Sequence, residues 1–306
     1  MNWLILLPGK SETDAEYERK TACYTELLEK KHASYTVFNE EINSSAASLQ
    51  SFLTTAAEAT HCIIVKRYRT EAEIADDFVP GYICGRNVPG FVEIGFKGFC
   101  DTSSDGLRFF QSSDDIIKDI DANYRLYQKD ETQKAAFKAL FDAGIPFTAD
   151  SFATYIATDN RYICRLFLAA GMGINCSNSE GTPMLNVAAR NEQYECVKWL
   201  LKNGADINGV SKDRGYSAVM DSVWKKDRKI TELLISQRAD LSFISRDGQP
   251  ILVLAVGIGD AEICRLLVEH GADPDVKDSM GMSAYGYAVL FRKPKIVEIL
   301  KKYHKE

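Results

Sequence analysis

Long apolar runs are missing from this 306-residue chain. None approaches the ~18–20 residues that a membrane-crossing helix needs, so no membrane partner is expected. The opening NWLILLPGK has no cationic lead and only a short apolar run, so a secretory leader is not expected either. Histidine is scarce, at four residues, and the eight cysteines (23, 62, 84, 100, 164, 176, 196 and 264) form no CxxC pair. That argues against a metal site. Free thiols kept buried in a reducing cytoplasm are the expectation. Excess positive charge is also absent. Residues 1–130 carry 14 Lys/Arg against 21 Asp/Glu, and residues 131–306 carry 23 against 22. Neither half is basic enough to make nucleic acid a main partner. There is no GxSxG, HExxH or GxGxxG, and neither His32 nor His61 completes a nucleophile–carboxylate set. No catalytic residues and no cofactor follow from the residues themselves.

What is present suits a folded protein of two domains. Hydrophobic residues make up 45% of the chain and charged residues 26%, a globular balance. The second half is periodic. AAGMGIN, KNGADIN, SQRADLS and EHGADPD place Gly171, Gly204, Arg238 and Gly271 at spacings of 33, 34 and 33. Gly181, Gly215, Gly248 and Gly281 run in step at 34, 33 and 33. Between the markers, apolar residues recur at helical spacing. Leu185, Ala188 and Ala189 suit an inner helix, with Cys196, Val197, Leu200 and Leu201 on an outer one. The stripe repeats at Ile230, Leu233 and Leu234, at Ile263, Leu266 and Leu267, and at Ile296, Ile299 and Leu300. Ala255 and Ala288 fill tight inner positions, and Pro294 suits a helix start.

A 33-residue unit of this kind resembles the ankyrin repeat, over about residues 131–306. The resemblance implies a helical solenoid of about four full repeats after degenerate capping units, with 131–147 as the second helix of a first, incomplete one. Lys301, Lys302 and Lys305 form a polar end. The family's Thr-Pro-Leu-His turn is altered, because Asn186, Met220, Val253 and Gly286 stand at the histidine position. Arg238 replaces a glycine that ends a helix with positive φ. The resemblance also implies a concave face that holds a protein partner. By register its contacts include Thr182, Arg190, Tyr216, Trp224, Lys225, Met282, Leu290 and Phe291, with Arg214 and Arg246 at finger tips. Tyr216, Trp224, Met282, Leu290 and Phe291 are expected to face solvent. The run Trp224–Lys229 reads as a solvated loop rather than an acidic-partner site.

Residues 1–130 alternate strand and helix. Apolar runs 4–7, 34–38, 62–65 and 89–96 read as strands; 14–31, 45–59, a stretch from Glu71 to Pro80, and 112–128 read as helices. This is a small parallel α/β sheet with helices on both faces. Polar Gln128–Gln133 would link the domains. Ligands of such sheets bind at the carboxyl ends of strands, here the loops 8–13, 39–44, 66–71 and 97–111. These carry Lys10, Ser11, Asn39, Glu40, Lys66, Arg67, Arg69 and Asp101. VPGYICGRNVPGFVEI is similar to a segment of nucleoside deoxyribosyltransferase-like and TIR-like domains, with Gly81, Tyr82, Gly85, Arg86 and Pro89 matching. That likeness implies a nucleoside- or NAD-like ligand near Asp77 and Tyr82. Val79 stands where those families carry a glutamate, and valine can neither attack nor hold charge. Pro8-Gly9-Lys10-Ser11 ends like a phosphate loop but is too short to wrap a phosphate. Ser11-x-x-Asp14 and Thr13-x-x-Glu16 read instead as capping boxes.

Overall fold

The computed structural model describes residues 1–7, 15–39, 46–68, 78–86, 88–94 and 106–305. The chain divides into two compact units, Met1–Thr132 and Gln133–Glu306.

The first unit is built on five strands, β1 (Asn2–Leu6), β2 (Ser34–Phe38), β3 (His61–Tyr68), β4 (Gly90–Ile94) and β5 (Leu107–Phe110). They lie in the order β2-β1-β3-β4-β5, all parallel. Successive side chains point to opposite faces, and both faces are apolar, as a covered parallel sheet requires. Trp3, Ile5, Ile63, Val65 and Phe91 meet Tyr24 and Leu28 of α1 (Ala15–Lys30) and Ile116 and Ile120 of a long later helix. Leu4, Leu6, Cys62, Ile64 and Val92 meet Phe52 of α2 (Ala46–Ala57) and Ile83 of α3 (Phe78–Gly85). Helices thus cover both faces. One ion pair is buried at the carboxyl end of β4: Lys20 lies 3.0 Å from Glu93, which also accepts from Ser113 Oγ at 2.6 Å.

Two sequence expectations need correction here. β5 lies within the span 97–111 that reads as loop, because Leu107-Arg108-Phe109-Phe110 adds a strand beside β4. The polar stretch 128–133 is not a loop. One helix, α4 (Ser113–Asp142), runs through it, so 131–147 is not a separate helix. Its 30 residues contain no glycine or proline, and Gln, Lys, Glu and Ala all favour helix. The helix expected from Glu71 up to Pro80 lies mostly outside the described residues, and only 78–80 of that stretch are placed. Pro80 sits in the first turn of α3, where its missing N–H costs nothing.

In the second unit five helix pairs follow: α5 (Ala149–Ala157) with α6 (Arg161–Ala169), α7 (Met184–Arg190) with α8 (Tyr194–Lys202), α9 (Ala218–Trp224) with α10 (Arg228–Ser236), α11 (Ile251–Ile258) with α12 (Ala261–Glu269), and α13 (Ala284–Leu290) with α14 (Pro294–Lys301). They share one continuous core, in which Ala188, Ala255 and Ala288 are buried at the tight inner positions. Pro294 opens α14. The loops between pairs form fingers closed by the bridges Ser177–Pro183, Val210–Ser217, Ile244–Pro250 and Lys277–Ser283. Each finger bonds its neighbour through backbone: Lys212 N to Gly181 O at 3.1 Å, Arg246 N to Arg214 O at 2.9 Å, Ser279 N to Gly248 O at 3.1 Å. That close approach explains the second glycine marker. A Cβ on Gly215, at φ +67°, would lie 2.7 Å from the Arg246 nitrogen. At the first marker Arg238 takes φ +65° without being glycine.

Candidate functional site

The inner helices end on a row of matching positions. Trp224, Gly257 and Leu290 share one register near the ends of α9, α11 and α13, and Lys225, Ile258 and Phe291 share the next. Trp224 is 49% exposed, Leu290 60% and Phe291 50%, large for groups of this kind in a packed array. Between them lies Gly257. A Cβ there would meet nothing within 4 Å, so the face is bare at that point. Two adjoining hollows, each of about 440 Å³, share Gly257 and Gln249. Trp224, Lys226 and Ile258 border one. Asp247, Asp278, Met280, Tyr287 and Phe291 border the other. Tyr287 and Phe291 stack with ring centroids 5.3 Å apart. Above Trp224 stands the guanidinium of Arg214, 5.4 Å from the ring centroid and 5.9 Å from that of Tyr216.

Beside this groove is a polar cluster that the sequence reading did not find. Asp221 is an acid on an inner helix and is 1% exposed. It accepts from Asn186 Nδ2 at 2.9 Å and from Arg190 Nε at 2.9 Å. Arg190 also forks onto both oxygens of Asp213 at 2.9 Å and reaches Ser211 Oγ at 2.8 Å. Burial pushes the Asp221 carboxyl up to about 6, against the pull of Arg190 and Asn186. Hydrogen bonding from Arg190 holds Asp213 well below the usual carboxylate range. Asn186 also donates to Tyr216 O at 2.8 Å, so the residue at the altered turn position still ties one repeat to the next finger. The signal in the sequence was an aspartate inside the apolar run AVMDSVW.

A sequence model described as ankyrin repeats (3 copies) matches residues 130–211 and 217–306, more than half of the chain. The chain belongs to the ankyrin-repeat family. It is 29% identical to an ankyrin repeat-containing protein of Treponema pallidum (strain Nichols) over 85% of this chain and 88% of that protein. It is also 28% identical to the mouse B-cell lymphoma 3 protein homolog, over 44% of this chain and 29% of that one. The chicken nuclear factor NF-kappa-B p105 subunit is 28% identical over 34% of this chain and 11% of its own length. The last two are thus covered by this chain over less than a third of their length.

Set on the ankyrin array, the residues named from sequence divide clearly. Trp224, Leu290 and Phe291 are exposed as expected, and Met282 is partly so. Tyr216 is not: it is 7% exposed, its ring under Arg214 and its carbonyl held by Asn186. Thr182 is buried at 1%. The guanidinium of Arg190 is committed to Asp213 and Asp221, which makes it a structural group. Arg214 and Arg246 are exposed at the fingers, and Lys225 lies 3.9 Å from Glu192. Lys225–Asp227 is the turn before α10, while Arg228 bonds Asp260 at 2.9 Å. Among the described cysteines none is paired; Cys62, Cys164, Cys196 and Cys264 are buried, but Cys23 is exposed. In the first unit, Lys10, Ser11, Glu40, Arg69, Asp77, Asp101 and the capping boxes around Ser11 and Thr13 lie outside the described residues, wholly or in part. Arg67 lies in β3, where it registers with Glu93. The Tyr82 ring packs edge-on against Phe52 at 5.4 Å. No helix among the described residues is long and apolar enough to cross a membrane, and no group of metal-ligating side chains occurs among them.

Proposed function

We propose that this chain is a cytoplasmic adaptor that holds a partner protein on the inner-helix face of its ankyrin array. Ankyrin-repeat relatives support a role in protein–protein interaction. The observation that carries the finer reading is the row of half-exposed groups at the helix ends, Trp224, Leu290 and Phe291, set around bare Gly257. Buried aromatic anchors are what protein interfaces concentrate, and each well-seated one contributes about 2 kcal/mol or more. The buried free thiols fit a reducing compartment.

Affinity capture from a lysate with the full chain tests this reading. Trp224→Ala with Phe291→Ala removes both anchors. Two lost anchors of about 2 kcal/mol each weaken binding on the order of 10³-fold, so the partner is lost from the captured fraction. Unchanged capture by a folded double variant would sink the proposal.

A further inference from the structure

The two hollows on either side of Gly257 differ in charge, and that difference says what kind of segment fits them. Around Trp224 the charge is positive. Lys226 borders the hollow, and Arg214 stacks on the indole with no side-chain hydrogen bond of its own among the described residues. Around Phe291 it is negative. Asp247 and Asp278 border that hollow beside the stacked rings of Tyr287 and Phe291. Asp278 accepts from Tyr287 Oη at 2.8 Å and from the Met280 and Met282 amides. These bonds hold its carboxyl below the usual range despite the opposing effect of burial, so it stays ionised. Asp247 is exposed, and its carboxylate has no partner among the described residues. The Lys293 ammonium, 5.9 Å from the Phe291 ring centroid, is turned to the carbonyl of Val256 at 2.6 Å, at the end of α11.

Aromatic faces with carboxylates beside them suit a guanidinium or ammonium group. A free arginine over an indole suits a carboxylate. The hollows lie in the neighbouring clefts α9/α11 and α11/α13. Packed helices stand about 8–10 Å apart, and an extended polyproline II segment advances ~3.1 Å per residue with three residues per turn, so side chains three positions apart point the same way and reach both.

We propose that the groove takes an extended segment of a partner protein in which an acidic side chain, seated by Arg214 and Trp224, stands about three residues from a basic one, seated by Asp247 and Phe291. A short apolar residue lies over Gly257 between them. This inference rests on the inner-face reading above and narrows it to a charge pattern.

Panning a phage-displayed random peptide library against the full chain tests it. Selected peptides are then measured against Trp224→Ala/Phe291→Ala, Arg214→Glu and Asp247→Lys. The latter two alter exposed side chains that hold no hydrogen bond within the fold, and melting curves verify folding. If either reversal fails to fold, Arg214→Gln or Asp247→Asn replaces it. The expected peptides pair an acid with a base about three residues away. Arg214→Glu weakens only those that carry the acid, by about tenfold, as one charge-assisted contact is lost. Asp247→Lys does the same for those that carry the base. Peptides that need Trp224 and Phe291 but show no paired charges overturn this inference and leave the inner-face reading standing. Selection of nothing that depends on Trp224 and Phe291 overturns both.

Discussion

Replacing Arg190 by alanine strips the buried Asp221 carboxylate of its cation. The size of the effect follows from what each bond is worth. The fork onto Asp213 involves a carboxylate whose side chain is 38% exposed, and a solvated pair of that kind contributes only about 0–1 kcal/mol. Asp221 is different, because its side chain is 1% exposed. Leaving a buried charge without its partner costs about 3–5 kcal/mol, and that sets the scale. The pH dependence gives a second handle. The folded-state carboxyl of Asp221 is already raised to about 6 by burial. A raised acid contributes its stability in full below its unfolded value, near ~4, and loses it as pH rises through the folded value. Without Arg190 the folded value moves higher still. The variant then goes on losing about 1.4 kcal/mol for each further pH unit until Asp221 ionises. Asp213 adds a smaller loss that is equal at pH 5 and pH 8, since its partnered carboxyl is ionised at both. Urea unfolding of wild type and Arg190→Ala at these two pH values measures the deficit. We expect about 1–2 kcal/mol at pH 5 and about 3–5 kcal/mol at pH 8. A deficit below about 1 kcal/mol at pH 8, or one equal at both pH values, would refute the structural role assigned to this cluster.

Arg238→Gly should raise stability by about 0.5–1 kcal/mol in denaturant unfolding, because Arg238 holds φ +65° at a helix end where the equivalent positions of the adjacent repeats are Gly204 and Gly271. No gain would mean that the arginine side chain offsets the strain. Gly215→Ala should lower the melting temperature, since its Cβ meets the Arg246 nitrogen at 2.7 Å in a left-handed turn; an unchanged melt would show that the fingers can part. Gly257→Ala should stabilise α11 by up to ~1 kcal/mol, since the added methyl meets open space in the last turn of the helix. Gly257→Trp should also fold, yet fill the groove floor and reduce partner binding. Binding that survives Gly257→Trp would place the partner elsewhere.

The repeats were legible because their markers recur as letters. Gly204, Gly271 and the finger glycines stand at backbone positions that few other residues accept. A further marker was not legible. Asp159, Glu192, Lys226, Gly259 and Arg292 all take positive φ at the turn between paired helices, 33 or 34 residues apart, with no residue type in common. The buried cluster was hidden for a similar reason. Arg190 and Asp221 meet across neighbouring repeats, 31 residues apart, and by register alone Arg190 is a surface contact. Exposure of Trp224 and Phe291 followed from their place at the helix ends. Tyr216 failed the same reasoning because Arg214 of its own finger lies over its ring and Asn186 of the preceding repeat holds its carbonyl. In the first unit, the strands β1 to β4 were visible as apolar runs. β5 was missed because Leu107-Arg108-Phe109-Phe110 is short and interrupted by a charge, and only its pairing with β4 makes it a strand. The polar run Gln128–Gln133 reads as a linker that would break helix α4 in two, although its helix formers run unbroken.

The central claim is that the inner-helix face, and not exposed apolar surface in general, holds the partner. The most direct measurement compares the affinity of the full chain for its captured partner in two variants. One is Trp224→Ala/Phe291→Ala; the other is Phe141→Ala/Tyr162→Ala, which removes two aromatics that are 75% and 69% exposed on α4 and α6. By calorimetric titration, the account predicts a loss on the order of 10³-fold for the first pair and less than about threefold for the second. Equal losses, or a loss confined to Phe141 and Tyr162, would contradict it.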